Sequence, residues 1–566
     1  MKDIVKHLGY VLLVLAVGAV LAAYVGRLDN PFLIDDRQTI QESTEIESVA
    51  SALFPERDTP VAGRPVPSVS LAIDHARAGK DPEAYHRTNL GFHLANTLLV
   101  FLLLVHLARL PKSTAWLREH ATLVAGWATA LWAVHPLHVE TILYATQRTE
   151  LCFATFSLAT LVCVARSWSD ARRRWIVLAA VSGVLAALSK ETAVVVPALA
   201  LVLDRALVSG SFRAALSRHR AQYLALVPLV LAVVGVVLSD PRADSVEWFS
   251  LDYLLTQGVV VWHYFLLVVW PEELIASYGF LVPGASTARV VGLVALTCLA
   301  AAGLWLLARR PRAGIFAAWV LGLLAPTSSF AAIHTEVGAA RRMYLPLIAF
   351  AFVAAWGAAR LARTPGARRV AAGLGAIVVV ALATRTRVRT ADYQDLISLW
   401  RMTLEQYPEN YGLDFDLATE LRLAGDTDGA IASYRNAVAK LPVYKEAHTG
   451  LGALLFERGS RDEGLAHLER AFELNNRDAE ILNNLGAAYG MLGRMERAEA
   501  LFLRYVELHP TLPQGRIGLA QVYLSTNRRE AAIEELRRAI ASPAAGEEAR
   551  AAIERAKQML RALGAS

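Results

Sequence analysis

The chain has 566 residues, of which 55% are hydrophobic and 19% are charged, and its formal net charge is +6 at pH 7. This composition is too apolar for a single soluble fold and predicts that most of the chain lies in a membrane. The positive charge does not indicate nucleic-acid binding, because much of the Lys and Arg stands in short clusters between apolar runs, where it sets membrane topology. Cys152, Cys163 and Cys298 lie within apolar runs without metal-binding spacing, so we interpret them as core residues.

The first apolar run, residues 8–25, is about long enough to cross a bilayer. Lys2 and Lys6 in front of it favour a cytoplasmic start, and the lack of a clear Ala-x-Ala cleavage site favours an anchor over a signal peptide. The long segment 27–87 is then external. Further apolar runs lie near 88–110, 119–136, 149–167, 173–189, 191–208, 221–238, 252–270, 288–308, 313–331, 342–362 and 368–385.

Basic clusters between these runs predict which loops are cytoplasmic. If every run crossed, the cluster at 309–312 would lie outside, so one run must fail to cross. The run at 252–270, which contains Trp262, His263 and Trp270, suits an interfacial or re-entrant element. We therefore predict about eleven crossings and an external C-terminus. The clusters are at 109–118, 172–174, 213–220, 309–312 and 363–369.

Two adjacent carboxylates, Asp35 and Asp36, follow the first run on the external side. In an extended segment neighbouring side chains point in opposite directions, so at most one of the two faces a site. Asp36 could instead cap a short helix that begins at Arg37. Taken alone, such a pair is more often solvated than catalytic.

Other ionisable and polar groups gather on the same predicted face of the membrane. Ionisable groups at this depth are costly and are therefore functional candidates, although each one alone could be a snorkelling anchor. Several of them beside an aspartate pair favour a functional site. The group comprises His135, His138, Glu140, Arg148, Glu150, Lys190, Glu191, Arg341 and Tyr344.

The spacing of His135, His138 and Glu140 also admits a metal site, with two imidazoles and a carboxylate close together. Pro136 interrupts a helix there, and no third histidine is evident. We therefore favour a turn that points Glu140 at the outer cavity, and we predict no metal.

From about residue 385 the apolar runs stop and a repeat of 34 residues begins. Leu485-Gly486, Tyr489, Ala498 and Phe502 recur as matching small and large residues in the neighbouring units. This pattern is a strong tetratricopeptide (TPR) signal. The predicted repeats are 411–444, 445–478, 479–512 and 513–546, followed by a capping helix.

Six motifs of the membrane part resemble one family as a set. The likeness is to the transmembrane and tetratricopeptide repeat-containing (TMTC-type) O-mannosyltransferases and their bacterial relatives, which are GT-C-fold glycosyltransferases. It runs in the same order over nearly the whole chain. The motifs are Phe32-Leu-Ile-Asp-Asp-Arg37, Arg64-Pro-Val-Pro-Ser68, Asn89-Leu-Gly-Phe-His-Leu-Ala-Asn96, His135-Pro-Leu-His-Val-Glu140 with Arg148, Ser189-Lys-Glu191, and Arg341 with Tyr344-Leu-Pro346.

This resemblance implies an all-α protein with a polytopic GT-C-type membrane domain at 1–390 and a TPR solenoid at 391–566. It implies an inverting hexosyltransferase that takes a sugar from a polyprenyl-phosphate carrier. The acceptor would be a hydroxyl, most simply of protein Ser or Thr, on the periplasmic face of a bacterial inner membrane. It also implies that Asp35 or Asp36 is the catalytic carboxylate.

The chemistry of such a transfer fits these residues. A carboxylate must take the proton of the attacking hydroxyl, and we predict Asp35 as this base with Asp36 in support. The leaving phosphate needs fixed cations, which we predict to be Arg148, Lys190 and Arg341. With a single phosphate and these cations, neither a metal nor a cofactor is required. Ala340 stands where eukaryotic members usually carry an acid, so the sequence supplies no neighbouring partner for Arg341.

Further residues are predicted to contact the sugar or acceptor, or to support the site. His86 and His93 belong to this group, although a packed, hydrogen-bonded histidine is the more ordinary role for each. The full group is Arg64, His86, His93, His138, Glu140, Glu191 and Tyr344.

The TPR groove is predicted to bind a protein or peptide acceptor or a partner, and the membrane part to contact lipid; no nucleic-acid partner is expected. Two alternatives stay open. The chain could be a membrane-anchored TPR scaffold of an envelope complex, or a GT-C enzyme acting on a glycolipid or polysaccharide. A transporter is disfavoured, because the charged residues gather at one face and not at mid-membrane.

Overall fold

The computed structural model describes residues 2–43, 45–55, 61–170, 172–239, 250–271, 286–330, 337–543 and 547–565. All regular elements in these ranges are helices. The chain divides into two units, one of residues 1–40 and 45–395 and one of residues 41–44 and 396–566. The predicted boundary after residue 390 falls in the last turn of a helix that ends at Asp392.

The first unit contains nineteen α-helices within the described ranges, joined in places by short 3₁₀ and π turns. They are α1 Lys2–Tyr24, α2 Ile34–Asp36, α3 Val49–Ala52, α4 Pro65–Ala78, α5 Pro82–Ala108, α6 Ala115–Glu119, α7 Ala121–Ala133, α8 Val139–Leu143, α9 Arg148–Ser169, α10 Arg173–Ala187, α11 Val196–Asp204, α12 Phe212–Arg218, α13 Arg220–Ala225, α14 Val227–Ser239, α15 Leu251–Val269, α16 Thr287–Arg309, α17 Pro311–Ala325, α18 Leu347–Leu361 and α19 Pro365–Asp392.

Eight helical segments of the described chain are long and apolar enough to cross a membrane, and two shorter apolar helices, α7 and α18, accompany them. The predicted all-α membrane architecture is confirmed. The number of about eleven crossings stays a prediction. The run at 252–270, predicted not to cross, forms the continuous helix α15 and is one of the eight by length and composition.

Glycines set how closely some of these helices pack. A Cβ atom at Gly9 of α1 would lie 2.2 Å from the carbonyl oxygen of Thr122 in α7, and one at Gly126 would lie 2.8 Å from the carbonyl oxygen of Gly9. Gly258 of α15 and Gly292 of α16 approach each other in the same way. Backbones meet at small residues because membrane helices gain their attraction from close packing.

The segment between α1 and α5 has an apolar core of its own. Phe32, Ile40, Ile46 and Leu71 pack with Tyr85 from the start of α5 and with the residue that opens the turn before α9. The ring of Phe32 meets that of Tyr85 edge-on at 5.5 Å between centroids. This core holds the segment that carries Asp35 and Asp36 against the start of α5 and the turn before α9.

The second unit is a TPR solenoid, as predicted. It begins with α20 Leu396–Gln406, continues as four helix pairs and ends with α29 Glu547–Ala562. The first helices of the pairs start 34 residues apart. The pairs are α21 Tyr411–Leu423 with α22 Thr427–Lys440, α23 Lys445–Glu457 with α24 Arg461–Leu474, α25 Ala479–Met491 with α26 Met495–Leu508, and α27 Pro513–Ser525 with α28 Arg529–Ile540.

The turn within each pair requires a left-handed residue. Gly425, Gly459 and Gly493 have φ of 81°, 97° and 73° in the first three pairs, and Asn527 takes the position in the fourth with φ of 59°. Glycine adopts this conformation without steric cost, and asparagine adopts it less readily. The 34-residue period therefore includes the turn as well as the packing positions.

Candidate active site

Asp36 is fully buried, and its carboxylate connects the segment after α1 to the turn that precedes α9. Its Oδ2 accepts hydrogen bonds from the backbone N–H groups of Leu33 at 3.2 Å and Ala145 at 3.1 Å, and its Oδ1 accepts one from Thr146 at 2.7 Å. Burial raises the pKa of Asp36 to about 7, and the three N–H donors act in the opposite direction. Asp36 therefore caps a helix, but it is the turn at Ala145–Gln147 and not the segment that begins at Arg37.

Asp35 is half-buried and faces a different group of residues. Its carboxylate interacts electrostatically with the phenol of Tyr144. Burial raises the pKa of Tyr144 well above its usual value, and the nearby charges of Asp35 and Asp36 raise it further. Arg341 is also close enough to interact electrostatically with Asp35. The two adjacent carboxylates thus have different surroundings. They lie on the short helix α2, so the expectation of an extended segment is wrong.

Arg341 pairs with Glu140, which supplies the partner that Ala340 does not. The Nη1 atom of Arg341 donates to Oε1 of Glu140, and the side chains are 12% and 4% exposed. The guanidinium also lies over the ring of Tyr144, 5.9 Å from its centroid. The second carboxylate oxygen of Glu140 has no hydrogen-bond partner within the described part of the chain.

Arg148 is fully buried, and its donors reach several acceptors. Nη2 donates to Oδ2 of Asp74 at 2.7 Å and to the carbonyl oxygen of Tyr85 at 3.0 Å. Nη1 donates to Oγ of Ser70 at 2.6 Å, and Nε donates to Oδ1 of Asn89. The guanidinium therefore ties α4, α5 and α9 together. Its predicted contact with a donor phosphate stays a prediction.

Asn89 positions the segment that carries Tyr144. Its side-chain amide donates to the carbonyl oxygens of Ile142 at 3.1 Å and Tyr144 at 3.0 Å, while its Oδ1 accepts from Arg148. Residues on α5 and α9 thereby hold the extended step between α8 and α9 in place.

Two further ion pairs meet at the turn before the 3₁₀ helix Glu191–Val195. Nζ of Lys190 donates to Oε2 of Glu150 at 2.5 Å, with the side chains 14% and 5% exposed. Nη2 of Arg64 reaches both carboxylate oxygens of Glu191, at 3.1 and 3.2 Å. The structure therefore brings Arg64, Lys190 and Glu191, which were predicted separately, into one cluster with Glu150.

The predicted histidines lie in the interior. His93 contacts the carbonyl oxygen of Ala133 through Nε2 at 2.9 Å and the hydroxyl of Tyr344 through Nδ1 at 2.7 Å. His138 packs on Tyr344 with ring centroids 4.6 Å apart, and burial lowers the pKa of His138 well below its usual value. Nδ1 of His86 contacts the carbonyl oxygen of Leu28 at 2.8 Å. These contacts are those of packed, supporting residues.

His135, His138 and Glu140 do not form a ligand set. Nε2 of His135 contacts the carbonyl oxygen of Val268 at 3.1 Å, and Glu140 is engaged by Arg341. No group of three His, Cys, Asp or Glu side chains placed to hold a metal ion occurs in the ranges that the structure describes. The expectation that no metal takes part stays a prediction.

Sequence reasoning missed Tyr144 and Asp74. Tyr144 stands between two of the motifs, and its contacts with Asp35 and Arg341 depend on chain segments far apart in sequence. Asp74 gave a weak signal, because a buried arginine such as Arg148 requires a carboxylate and α4 supplies one.

Comparisons with known proteins match both halves of the chain. A tetratricopeptide-repeat family model matches residues 417–544. The chain is 22% identical over 401 residues to Protein O-mannosyl-transferase F38B6.6 of Caenorhabditis elegans, which covers 68% of this chain and 54% of that protein. It is 23% identical over 494 residues to Protein O-mannosyl-transferase TMTC4 of Mus musculus, which covers 74% of this chain and 65% of that protein. The predicted resemblance to the TMTC-type proteins is confirmed.

The chain spans between about half and two thirds of the length of these curated relatives. Among solved structures, a thermophilic TPR protein of Thermus thermophilus is 24% identical, with a TM-score of 0.25, and covers 32% of this chain and 95% of that chain.

Proposed function

We propose that this chain is a GT-C glycosyltransferase of a bacterial inner membrane that moves a hexose from a polyprenyl-phosphate carrier to a hydroxyl, most simply of protein Ser or Thr, on the periplasmic face. The similarity to O-mannosyl-transferases supports the class of reaction. The apolar helices support a membrane enzyme with a lipid-linked donor.

The observation that carries the proposal is the surroundings of Asp35. Asp35 is half-buried, whereas Asp36 is fully buried and its carboxylate accepts hydrogen bonds from three backbone N–H groups. A general base must come within hydrogen-bond reach of the acceptor, and on this ground we assign the role to Asp35.

The reaction then proceeds as a single displacement. Asp35 takes the proton of the acceptor hydroxyl while the hydroxyl oxygen forms a bond to C1 of the sugar. The bond from C1 to the phosphate oxygen breaks, its electron pair leaves with the polyprenyl phosphate, and the configuration at C1 inverts. No metal or cofactor is needed for this balance.

The charge that develops on the leaving phosphate requires fixed cations. Arg341 interacts electrostatically with Asp35, and Lys190 and Arg64 belong to the cluster with Glu150 and Glu191. We assign phosphate binding to Arg341 and Lys190, and we assign Arg148 the task of holding α4, α5 and α9 around the site, because its guanidinium is fully buried. Glu140 and Tyr144 orient Arg341.

The TPR unit gives the enzyme a surface for a protein acceptor or partner, since such solenoids bind peptides along their length. A scaffold role alone does not explain buried ion pairs next to an aspartate in the membrane unit.

The test uses the full chain in lipid nanodiscs with labelled polyprenyl-phosphate mannose, glucose or galactose and Ser/Thr peptides. We expect one labelled sugar to appear on the peptide with wild-type protein and with Asp29→Asn, which alters an exposed acid of the same segment, but not with Asp35→Asn. Label on lipid or polysaccharide would replace the protein acceptor. No transfer to any acceptor, with intact partner binding by the TPR unit, would favour the scaffold.

A further inference from the structure

We infer that Glu150 and Glu191 are built-in counter-ions that compete with the lipid phosphate for Lys190 and Arg64, and that they act to release the polyprenyl phosphate after transfer. The inference rests on the proposed function for the identity of the ligand. The two carboxylates thus promote release of the product and do not bind the substrate.

The geometry of the cluster shows competition for the same donors. Glu150 receives Nζ of Lys190 at 2.5 Å, and Glu191 takes Nη2 of Arg64 through both oxygens. Glu191 also interacts electrostatically with Lys190, its neighbour in sequence. A phosphate that approaches these cations therefore meets carboxylate oxygens already bound to them.

The charges of the cluster balance. Two cations face two carboxylates, and the Lys190–Glu150 pair is nearly enclosed, with side chains 14% and 5% exposed. A buried ion pair in a poorly solvated site interacts strongly, so the resting cluster offers no excess positive charge to an anion.

The chemistry of the reaction makes such competition useful. The donor is a phosphodiester with one negative charge, whereas the product is a phosphomonoester that carries about −1.5 to −2 at pH 7. Cations without counter-ions would bind the product more tightly than the donor. A carboxylate that returns to its cation weakens product binding and frees the site for the next donor.

The experiment measures binding of a polyprenyl phosphate to the full chain in nanodiscs, with the matching polyprenol as the probe that lacks the phosphate. Glu150→Gln keeps the shape and one acceptor oxygen but removes the charge. We expect it to bind the polyprenyl phosphate about tenfold more tightly than wild type, and the polyprenol with unchanged affinity.

A matched control lies in the TPR unit, where Lys440 pairs with Asp414 and the side chains are 23% and 4% exposed. Asp414→Asn removes a similar ion pair and should leave binding of the polyprenyl phosphate unchanged. In a Lys190→Ala background, Glu150→Gln should lose its effect, because the cation it competes for is gone.

Equal or weaker binding by Glu150→Gln, an equal gain in Asp414→Asn, or a full gain in the Lys190→Ala background would each overturn the inference. Because binding is measured without turnover, a protein that binds polyprenyl phosphate as expected but transfers no sugar would contradict the proposed function and still confirm that Glu150 competes with the phosphate for Lys190. Where transfer occurs, Glu150→Gln should show a fast first turnover followed by a slower steady rate.

Discussion

Asp35 and Asp36 are neighbours in the chain but occupy different environments. Asp36 accepts three backbone hydrogen bonds in a fully buried position, and Asp35 faces Tyr144 and Arg341 at the accessible side. When Asp36 is changed, buried backbone N–H groups lose their acceptor, and leaving them unpaired lowers the free energy of unfolding. The two residues are therefore expected to fail in different ways when changed.

Asp35→Asn should lower turnover at saturating donor by about 10² to 10⁴ and leave the melting temperature unchanged, because the amide cannot accept the proton. Asp36→Asn should lower the stability by about 1–3 kcal/mol, because its amide group meets N–H donors. Initial rates and thermal melting of both variants in detergent separate these effects. Full activity in Asp35→Asn with loss in a well-folded Asp36→Asn would exchange the two roles.

Lys190 and Arg341 should affect donor binding as well as stability, because each is paired with a buried glutamate. Lys190→Ala and Arg341→Ala each remove a charge-assisted contact and should weaken donor use by about tenfold to a hundredfold. Arg341→Lys should restore only part, because Lys lacks the bidentate fork. Donor binding is measured with the polyprenyl-phosphate sugar. Unchanged affinity in both alanine variants would place the phosphate elsewhere.

Arg148 illustrates how burial changes the interpretation of a charged residue. Arg148→Met leaves Asp74 buried without its partner and should cost about 3–5 kcal/mol of stability. The double variant Arg148→Met with Asp74→Leu should recover part of that loss, since both charges are then absent. Thermal melting in nanodiscs tests this. A stable Arg148→Met protein with weakened donor binding would instead support the phosphate contact predicted from the sequence.

At the scale of elements, the site depends on how α1 packs against the rest of the membrane unit. Asp35 and Asp36 lie in the segment that follows the C-terminal end of α1. The contact between α1 and α7 is made at Gly9, where a methyl group has no room. Gly18 in the same helix has no atom within 4 Å of a Cβ position.

Gly9→Ala should therefore destabilise the protein by about 1–3 kcal/mol through overpacking, whereas Gly18→Ala should be neutral or slightly stabilising, since Ala is the better helix former. Both are compared by melting in detergent. Equal melting temperatures for the two variants would show that α1 shifts to accommodate the methyl group.

At the scale of the whole molecule, the basic clusters predict that the C-terminus lies outside the cytoplasm. A reporter that functions only in the exported compartment should be active when it is fused to the C-terminus of the chain. A reporter that functions only in the cytoplasm should be inactive there. The matched fusion after residue 172, within a cluster predicted to be cytoplasmic, should give the opposite pattern. A cytoplasmic signal from the C-terminal fusion would separate the TPR unit from Asp35 and contradict the proposed arrangement.

Composition and periodicity alone determined the architecture. Long continuous runs of apolar residues form helices in a membrane, because a helix satisfies its backbone groups within the segment itself. The 34-residue spacing of small and large residues defined the solenoid in the same local way. The motifs likewise marked Asp35, Asp36, Lys190 and Arg341 before any contact was known.

Only the tertiary structure decided which of these residues contact one another. Arg341 and Glu140 are 201 positions apart and Arg148 and Asp74 are 74 apart, and no local pattern specifies such pairs. They follow from the packing of several helices, which sets burial as well as distance. The same packing buried Arg148 among acceptors of α4 and α5, placed Asp36 at the N–H groups of Ala145 and Thr146, and left Asp35 half-buried near Tyr144.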